Sequence, residues 1–204
     1  MTRSRSMGVQ GRGALAVAGA LALLAAGAAA ADHAGWRVER GDVRVTVPLK
    51  PGGAFEATTT ALAGTLVLEP AKPAHLAGEV SIDLGTIDTG IALRNQHLRE
   101  TYLEVGKGAG YDHAVLSDIH LADAEGDAFS GTTAFTGTML LHGVKHEVAG
   151  KADLRPEGTG RHVRAEFPLN LGDFGIAPPE YLGVGVGSKL LVKVQLTAVP
   201  APKP

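Results

Sequence analysis

The sequence predicts an all-β protein, an antiparallel barrel of about eight strands with one short helix. Apolar and polar residues alternate repeatedly, most clearly over residues 163–171, and this period of two is typical of half-buried strands. Glycine supplies 28 of the 204 residues, about twice its usual share, which favours turns and strands over long helices. Closing such a sheet into a barrel removes the unpaired edges that an open sheet would leave.

Eight segments carry the strand pattern, and glycine- and proline-rich turns separate several of them. The second strand is predicted as one continuous segment, and turns are expected at residues 51–53, 69–73, 106–110 and 156–160. The predicted strands are residues 36–48, 55–68, 80–84, 115–121, 134–141, 145–154, 163–171 and 190–196.

A single helix is predicted over residues 91–105. Ile91, Leu98, Tyr102 and Val105 recur there at roughly helical spacing, which indicates one apolar face. Thr89 precedes this segment and is expected to cap its first turn.

The interior of the predicted fold is open to two interpretations. An eight-stranded barrel is near the size at which the interior holds one small ligand. A β-sandwich with a filled core would give a similar strand pattern, so the alternation alone does not decide between them.

The N-terminal segment, residues 1–31, predicts a cleavable secretory signal. Arginines precede an uncharged Ala- and Leu-rich run that ends in small residues, which is the usual layout of a signal peptide. An uncleaved membrane anchor is the alternative. Cleavage before Asp32 would leave a domain over residues 32–199 in the periplasm or outside the cell, followed by a short disordered tail at residues 200–204.

Composition excludes several classes of function. With 19 basic and 21 acidic residues, the chain lacks the positive charge expected of a nucleic-acid-binding protein. It contains no cysteine, so disulfides, thiolate nucleophiles and cysteine metal clusters are ruled out.

Catalytic patterns are also missing. No serine lies in a Gly-x-Ser-x-Gly elbow, which is the usual signal of a serine hydrolase. His142 and His146 flank a predicted hairpin turn, but two histidines without a reliable third ligand indicate a metal only weakly. His97, His113 and His120 are further candidates, but nothing in their spacing requires a metal. We therefore predict no catalytic residues, no metal ligands and no enzyme, with a metal- or haem-associated enzyme using these histidines as a remaining alternative.

Four short runs, in this order along the chain, resemble motifs of the YceI-like family of bacterial secreted lipid-binding proteins. Asn95 departs from the family pattern, which usually has Asp at that position. The runs are Ile-Asp-Leu-Gly-Thr-Ile-Asp-Thr-Gly at 82–90, Arg-Asn-Gln-His-Leu-Arg at 94–99, Gly-Thr-Met-Leu-Leu-His-Gly-Val at 137–144 and Asp-Phe-Gly-Ile at 173–176.

The resemblance implies an elongated, lipocalin-like barrel that encloses a polyprenyl chain, such as an isoprenoid quinone tail. It implies a periplasmic or secreted binding protein that acts as a carrier, buffer or sequestering protein, with an amphiphilic isoprenoid lipid as partner and transient contact with a membrane surface. No cofactor is expected beyond that lipid. The alternative is a ligand-free interaction or stress module with a filled barrel. The oligomeric state stays open, a homodimer included.

Candidate lining residues are those on the apolar faces of the strands and the helix, although ordinary core packing is an equal alternative for each. We also expect Arg94 to pair with Asp173 or another acid, and His142 and Gly143 to form a tight hairpin. The candidate lipid-binding residues are Ile82, Leu84, Ile91, Leu98, Tyr102, Phe135, Met139, Phe167, Leu169, Leu190, Val192 and Val194.

Overall fold

The computed structural model describes residues 35–69, 72–124, 126, 128–181 and 184–202. The predicted signal peptide lies outside the described residues. None of the helices within these ranges is long and apolar enough to cross a bilayer.

Strands dominate the described chain, and they are numbered β1 to β11 in chain order. The longest helical segment, α1, lies between β4 and β5 and continues into a π-helical turn at Leu98–Tyr102. Short 3₁₀ turns occur at Leu84–Thr86, Val105–Lys107 and Leu171–Phe174. The elements are β1 Gly35–Lys50, β2 Ala54–Thr59, β3 Leu62–Glu69, β4 Lys72–Asp83, α1 Ala92–His97, β5 His113–Leu121, β6 Gly131–Leu141, β7 Val144–Glu157, β8 Gly160–Asn170, β9 Glu180–Tyr181, β10 Val184–Val186 and β11 Lys189–Ala201.

Eight antiparallel strands close into a barrel. The hydrogen-bonded order is β1-β3-β4-β5-β6-β7-β8-β11, and β11 pairs back with β1. This closing register runs from Gly35 opposite Ala201 to Thr46 opposite Leu191. The prediction of an all-β antiparallel barrel with eight strands and one short helix is therefore confirmed.

The second predicted strand is divided in two. β2 pairs with the second half of β1, whereas β3 pairs with β4 along its length and meets β1 only at Trp36 and Arg37. Between them, the Ala61 N–H donates to the Thr59 hydroxyl at 3.1 Å. This side-chain hydrogen bond takes the place of a ladder bond, so the chain turns there.

The helix is shorter than predicted. It begins after Ile91, which offers no side-chain cap, and the π-helical turn ends where the Leu103 N–H bonds the Leu98 carbonyl at 2.8 Å. Glu104 then adopts a left-handed φ of 52°, which cannot continue a right-handed helix. The predicted Thr89 cap is wrong, and the extension to Val105 is replaced by a separate 3₁₀ turn.

The predicted tail boundary also needs correction. β11 continues through Pro200 and Ala201, which pair with Trp36 and Gly35 of β1. These residues belong to the barrel seam because their partners come from the first strand. Residues 203–204 lie outside the described part of the chain.

A bulge in β5 keeps apolar residues inside the barrel. Leu116 and Ile119 both face the interior, although they are three residues apart and a regular strand would turn one of them outward. Asp118 takes up the extra residue with a left-handed φ of 52°. On β6 the single residue Gly137 lies opposite this break in register, which is the pattern of a β-bulge.

Close packing of strands around Gly150 of β7 gives a stability prediction. An added Cβ would meet the Glu166 carbonyl oxygen, lie 2.6 Å from the Phe167 Cβ and 2.9 Å from the Phe135 ring. Gly150→Ala should therefore lower the free energy of unfolding by about 1–3 kcal/mol, measured by denaturant titration. Gly52→Ala is the control, since nothing lies within 4 Å of its added Cβ. Equal stability of the two variants would contradict the packing described.

Candidate functional site

The barrel encloses an apolar cavity of about 550 Å³. This volume lies within the range of roughly 300–1,000 Å³ that is usual for ligand pockets. Aliphatic side chains of β1, β8 and β11 form much of its wall, including Val43, Val45, Leu169 and Val192. We refer to this space as the main chamber.

A smaller cavity of about 160 Å³ lies next to the main chamber. It is lined by the early part of β1, including Trp36 and Val38, whereas the later part of β1 lines the main chamber. The two cavities therefore follow one another along the barrel. Four residues line both of them and form a partition between them: Ile82, Ala114, Met139 and Phe167.

The structure places every candidate lining residue on a cavity wall. Phe135 and Val194 line the smaller cavity alone. Those that line the main chamber are Ile82, Leu84, Ile91, Leu98, Tyr102, Met139, Phe167, Leu169, Leu190 and Val192. Contact with a ligand remains a proposal for all twelve.

Several wall residues of β1 are not among the predicted lining residues. Val43, Val45, Val47 and Leu49 line the main chamber, and their strict alternation with Arg44, Thr46 and Pro48 was a readable signal. Leu93 of α1 also lines it, outside the apolar face predicted for the helix. Leu103 and Ile176 line it too, but they come from irregular segments for which no periodicity could have indicated an inward direction.

The mouth of the main chamber combines exposed apolar and charged side chains. Ile91 is 49% exposed and Leu93 is 61% exposed, yet both line the chamber. The acidic and basic side chains among the described lining residues are Arg94, His97 and Glu180. All charge on the chamber wall is thus contributed by α1 and the β9 segment, which leaves the deeper wall uncharged.

Arg94 does not pair with an acid among the described residues. Its guanidinium instead lies 4.1 Å from the centre of the Phe55 ring, a cation–π distance. The expected partner, Asp173, accepts a hydrogen bond from Asn170 at 2.8 Å and lies 3.6 Å from His146 Nε2. The prediction of an Arg94 ion pair is therefore wrong.

The segment that carries α1 is tied to β2 by hydrogen bonds. Thr58 and Asp88 exchange two backbone bonds of 2.8 and 2.9 Å, and the hydroxyls of Thr59 and Thr86 lie 2.6 Å apart. Arg99 adds a bond from its Nη2 to the Ile87 carbonyl at 3.0 Å. These contacts hold the segment across the mouth of the main chamber.

Asn95 joins the start of α1 to the residues before it. Its Nδ2 donates to Asp88 Oδ1 at 2.7 Å, and its Oδ1 accepts from both the N–H and the hydroxyl of Thr89, at 2.8 and 2.6 Å. The Asn95 bond, the Gly90 N–H and the Arg99 charge all lower the pKa of Asp88, the Asn95 bond most strongly. We call this group of Asp88, Thr89 and Asn95 the latch.

A second polar connection joins the turn after α1 to the β6–β7 hairpin. Glu104 accepts hydrogen bonds from Lys107 Nζ at 2.7 Å and His142 Nε2 at 2.9 Å. Lys107 and, to a smaller extent, His142 lower the pKa of Glu104. The hairpin prediction is confirmed, since His142 and Gly143 have φ values of 52° and 75°, as a type I′ turn requires.

His142 and His146 do not form the metal site considered above. His142 Nδ1 lies 3.1 Å from the Phe174 carbonyl, so both of its ring nitrogens face protein oxygens. The His146 ring packs against the Phe174 ring at 5.8 Å between centroids. Their nitrogens are directed to different partners, and neither belongs to a group of three potential ligands within the described residues.

Comparison with protein-family models shows which family the chain belongs to. The YceI-like domain matches residues 36–198, which covers the barrel from the second residue of β1 to most of β11. The chain belongs to the YceI-like family. A search of curated proteins gave no match.

Two solved structures share the YceI-like barrel at low sequence identity. BcnA from Burkholderia cenocepacia is 17% identical, with a TM-score of 0.61, and the match covers 77% of this chain and 96% of that one. A polyisoprenoid-binding domain from Saccharophagus degradans, implicated in plant cell wall breakdown, is 16% identical with a TM-score of 0.61, covering 83% and 100%. At this level of identity they establish a common fold.

The latch gives a prediction that depends on an amide at position 95. Asn95→Asp would remove the donor to Asp88 and place two carboxylates together, so backbone amides of residues 87–97 should exchange with solvent about tenfold faster at pH 7. In the original chain the lowered pKa of Asp88 means that the latch is complete above the ordinary aspartate pKa and weakens as pH falls through the folded value. In the variant, acidification should restore protection because one carboxyl takes up a proton.

Hydrogen exchange followed by mass spectrometry at pH 7 and near pH 4 measures both effects. Gln195→Glu makes the same change of amide to carboxylate on the exposed face of β11, and it should leave residues 87–97 unaffected. Unchanged exchange in Asn95→Asp would contradict the role of the latch.

Proposed function

We propose that this protein binds a long isoprenoid chain, of a polyprenyl lipid or an isoprenoid quinone, inside the barrel. In this proposal it acts in the periplasm or outside the cell as a carrier, buffer or sequestering protein. The observation that carries the proposal is the main chamber, a cavity of about 550 Å³ with a largely aliphatic wall. The polyisoprenoid-binding domain with the same fold supports the choice of ligand class.

The chemistry of the chamber suits a hydrocarbon tail. Burial of a methylene from water is worth about 0.8 kcal/mol, and the deeper wall offers no charged group that a tail would leave unpaired. A lipid bilayer is about as apolar as the chamber, so transfer between the two should be nearly balanced. A balanced transfer is reversible, which suits a carrier or buffer.

The mouth suits the polar end of such a ligand. Arg94, His97 and Glu180 are the acidic and basic lining side chains of the described chain, and they lie together with the exposed apolar residues Ile91 and Leu93. A head group held here would leave the tail in the chamber. Selection would then depend on these few polar groups and on the length of the apolar space.

A filled barrel without a ligand is the alternative, and the main chamber argues against it. Protein interiors are packed with few voids larger than a water molecule, whereas this space is many times larger. The metal- or haem-associated enzyme is disfavoured because His142 and His146 are directed to different protein partners.

Identification of the bound lipid is the direct test. The full chain should be purified without detergent, extracted with organic solvent and examined by mass spectrometry, and the delipidated protein titrated with a quinone and a polyprenol. We expect a stoichiometric isoprenoid or its uptake. Repeated recovery of empty protein that takes up neither probe would refute the proposal.

Filling the main chamber should block this uptake. Leu190 lines the chamber, whereas its neighbour Leu191 lies on the opposite face of β11 and does not. Leu190→Trp should weaken polyprenol binding about tenfold or more, because the larger ring occupies space that the tail needs. Leu191→Trp is the matched control and should bind as the original protein does. Thermal unfolding must show both variants folded, and equal binding by the two would mean that the ligand lies elsewhere.

The exposed apolar residues at the mouth should assist transfer from membranes. Leu93→Glu places a charge on the most exposed of them, and we expect slower uptake of a polyprenol from neutral phosphatidylcholine vesicles, by about tenfold. Gln96→Glu adds the same charge on α1 outside the chamber wall and should change the rate little. Binding of detergent-dispersed ligand should be similar for both, so slower transfer in both variants alike would argue against membrane contact through Leu93.

A further inference from the structure

Three potential metal ligands converge on the outer wall of the barrel, outside both cavities. His75 Nε2 of β4 lies 2.7 Å from Asp118 Oδ1 of β5, and His120 Nε2 lies 3.7 Å from the same oxygen. The two imidazole rings stack with centroids 4.4 Å apart. One carboxylate oxygen and two ring nitrogens therefore lie within 4.8 Å of one another.

The fold assembles this cluster through strand register and the β5 bulge. His75 and His120 are directly opposite in the β4–β5 ladder. Leu116 and Ile119 both face inward, so the bulge leaves Asp118 on the outer side between them. Its left-handed φ of 52° is a conformation that aspartate adopts more readily than most residues.

The two ring nitrogens of His75 lie near different carboxylates. It is 8% exposed despite its place on the outer wall, and its Nδ1 lies 3.2 Å from Glu69 Oε2. Histidine ligands commonly direct one ring nitrogen to a carboxylate and the other to the metal. The Glu69 carboxylate lies beside Nδ1, although the pair does not have hydrogen-bond geometry, and Nε2 faces Asp118.

We propose that His75, Asp118 and His120 bind a divalent metal ion such as Zn²⁺. Two imidazoles and one carboxylate suit zinc, copper or nickel better than magnesium or calcium, which prefer oxygen ligands alone. Zinc binds these ligands at about 2.0–2.2 Å in tetrahedral geometry, which places ligand atoms about 3.3 Å apart. The observed separations of 2.7 and 3.7 Å from Asp118 Oδ1 lie on either side of this value.

The convergence of three atoms distinguishes a metal site from an ordinary ion pair. A protonated His75 between Glu69 and Asp118 would satisfy those two carboxylates without any contribution from His120. His120 nevertheless places its Nε2 3.7 Å from the same oxygen although its side chain is exposed. A bound ion would coordinate all three atoms and join β4 to β5 outside the barrel. This inference does not depend on the lipid proposal.

Zinc binding by the full chain tests the proposal. The chain is purified with a tag that contains no histidine, because a histidine tag would itself bind the metal. Metal-free protein is titrated with Zn²⁺ against a chromophoric chelator, and Co²⁺ is added separately so that its absorption reports the coordination geometry. Thermal unfolding is followed with and without Zn²⁺. We expect one equivalent per chain and a higher unfolding temperature with the metal, because the ion binds the folded state.

Two variants remove a ligand with little risk to the fold. His120→Ala changes an exposed side chain, and Asp118→Asn keeps the size and left-handed tolerance of the residue. Each should weaken Zn²⁺ binding by about tenfold or more and abolish the rise in unfolding temperature. His113→Ala is the matched control, a partly exposed histidine on the same strand beside Asp112, and should bind Zn²⁺ as the original chain does.

Failure to bind one equivalent of Zn²⁺ would overturn the proposal and leave the cluster as an ion pair. Binding that survives His120→Ala and Asp118→Asn unchanged would overturn it too, since the ion would then lie at other histidines. Either result would leave isoprenoid uptake by the original chain unaffected, so failure of the metal site is distinguishable from failure of the lipid proposal.

Discussion

The pairing of β1 with β11 is the constraint on which the rest of this structure depends. An apolar interior can remain unfilled only if the surrounding backbone has all its hydrogen bonds satisfied within the wall. β1 meets this requirement by pairing with β11 on one side and with β2 and β3 on the other. Closure turns a curved sheet with two exposed edges into a continuous wall, and the aliphatic faces of its strands then surround a common space.

Different forces hold the wall and the cover of the main chamber. The wall is held by ladder hydrogen bonds and apolar packing, as in the edge-to-face contact of Phe135 with Phe167 at 5.8 Å. The segment that carries α1 is fixed mainly by polar contacts, with no buried residue in α1 itself. Few buried apolar contacts are characteristic of segments that open locally. The helix at the mouth of the main chamber thus lacks the buried packing that the wall strands have.

Strand positions were predictable from sequence because alternation directly reflects which face is buried. The same pattern identified Phe167, Leu169 and Val192 as inward residues. It failed where side-chain hydrogen bonds or bulges interrupt the period. The Thr59 turn divided one predicted strand in two, and the Asp118 bulge changed the phase of another.

Contacts between distant segments could not be read from the sequence. Arg94 stacks on Phe55 instead of pairing with an acid, and Asn95 reaches back to Asp88 and Thr89, because strand register and turns set these distances. The sequence of β5 does show a change in the period of two. Ala114 and Leu116 alternate regularly, as do Ile119 and Leu121, but Leu116 and Ile119 are three residues apart. This spacing indicates a bulge in β5, but it does not indicate that His75 of β4 lies beside the bulge.

The seam where Gly35 meets Ala201 makes the connectivity of the barrel a ring. β1 and β11 pair antiparallel, as the two strands of a hairpin do. Every strand of the wall therefore has a hydrogen-bonded neighbour on each side. A circularly permuted chain should therefore form the same strand pairings. In such a chain a short peptide would join β11 to β1, and the new termini would lie at the Gly158 turn. The strand pairings of this barrel thus do not depend on the position of the chain termini.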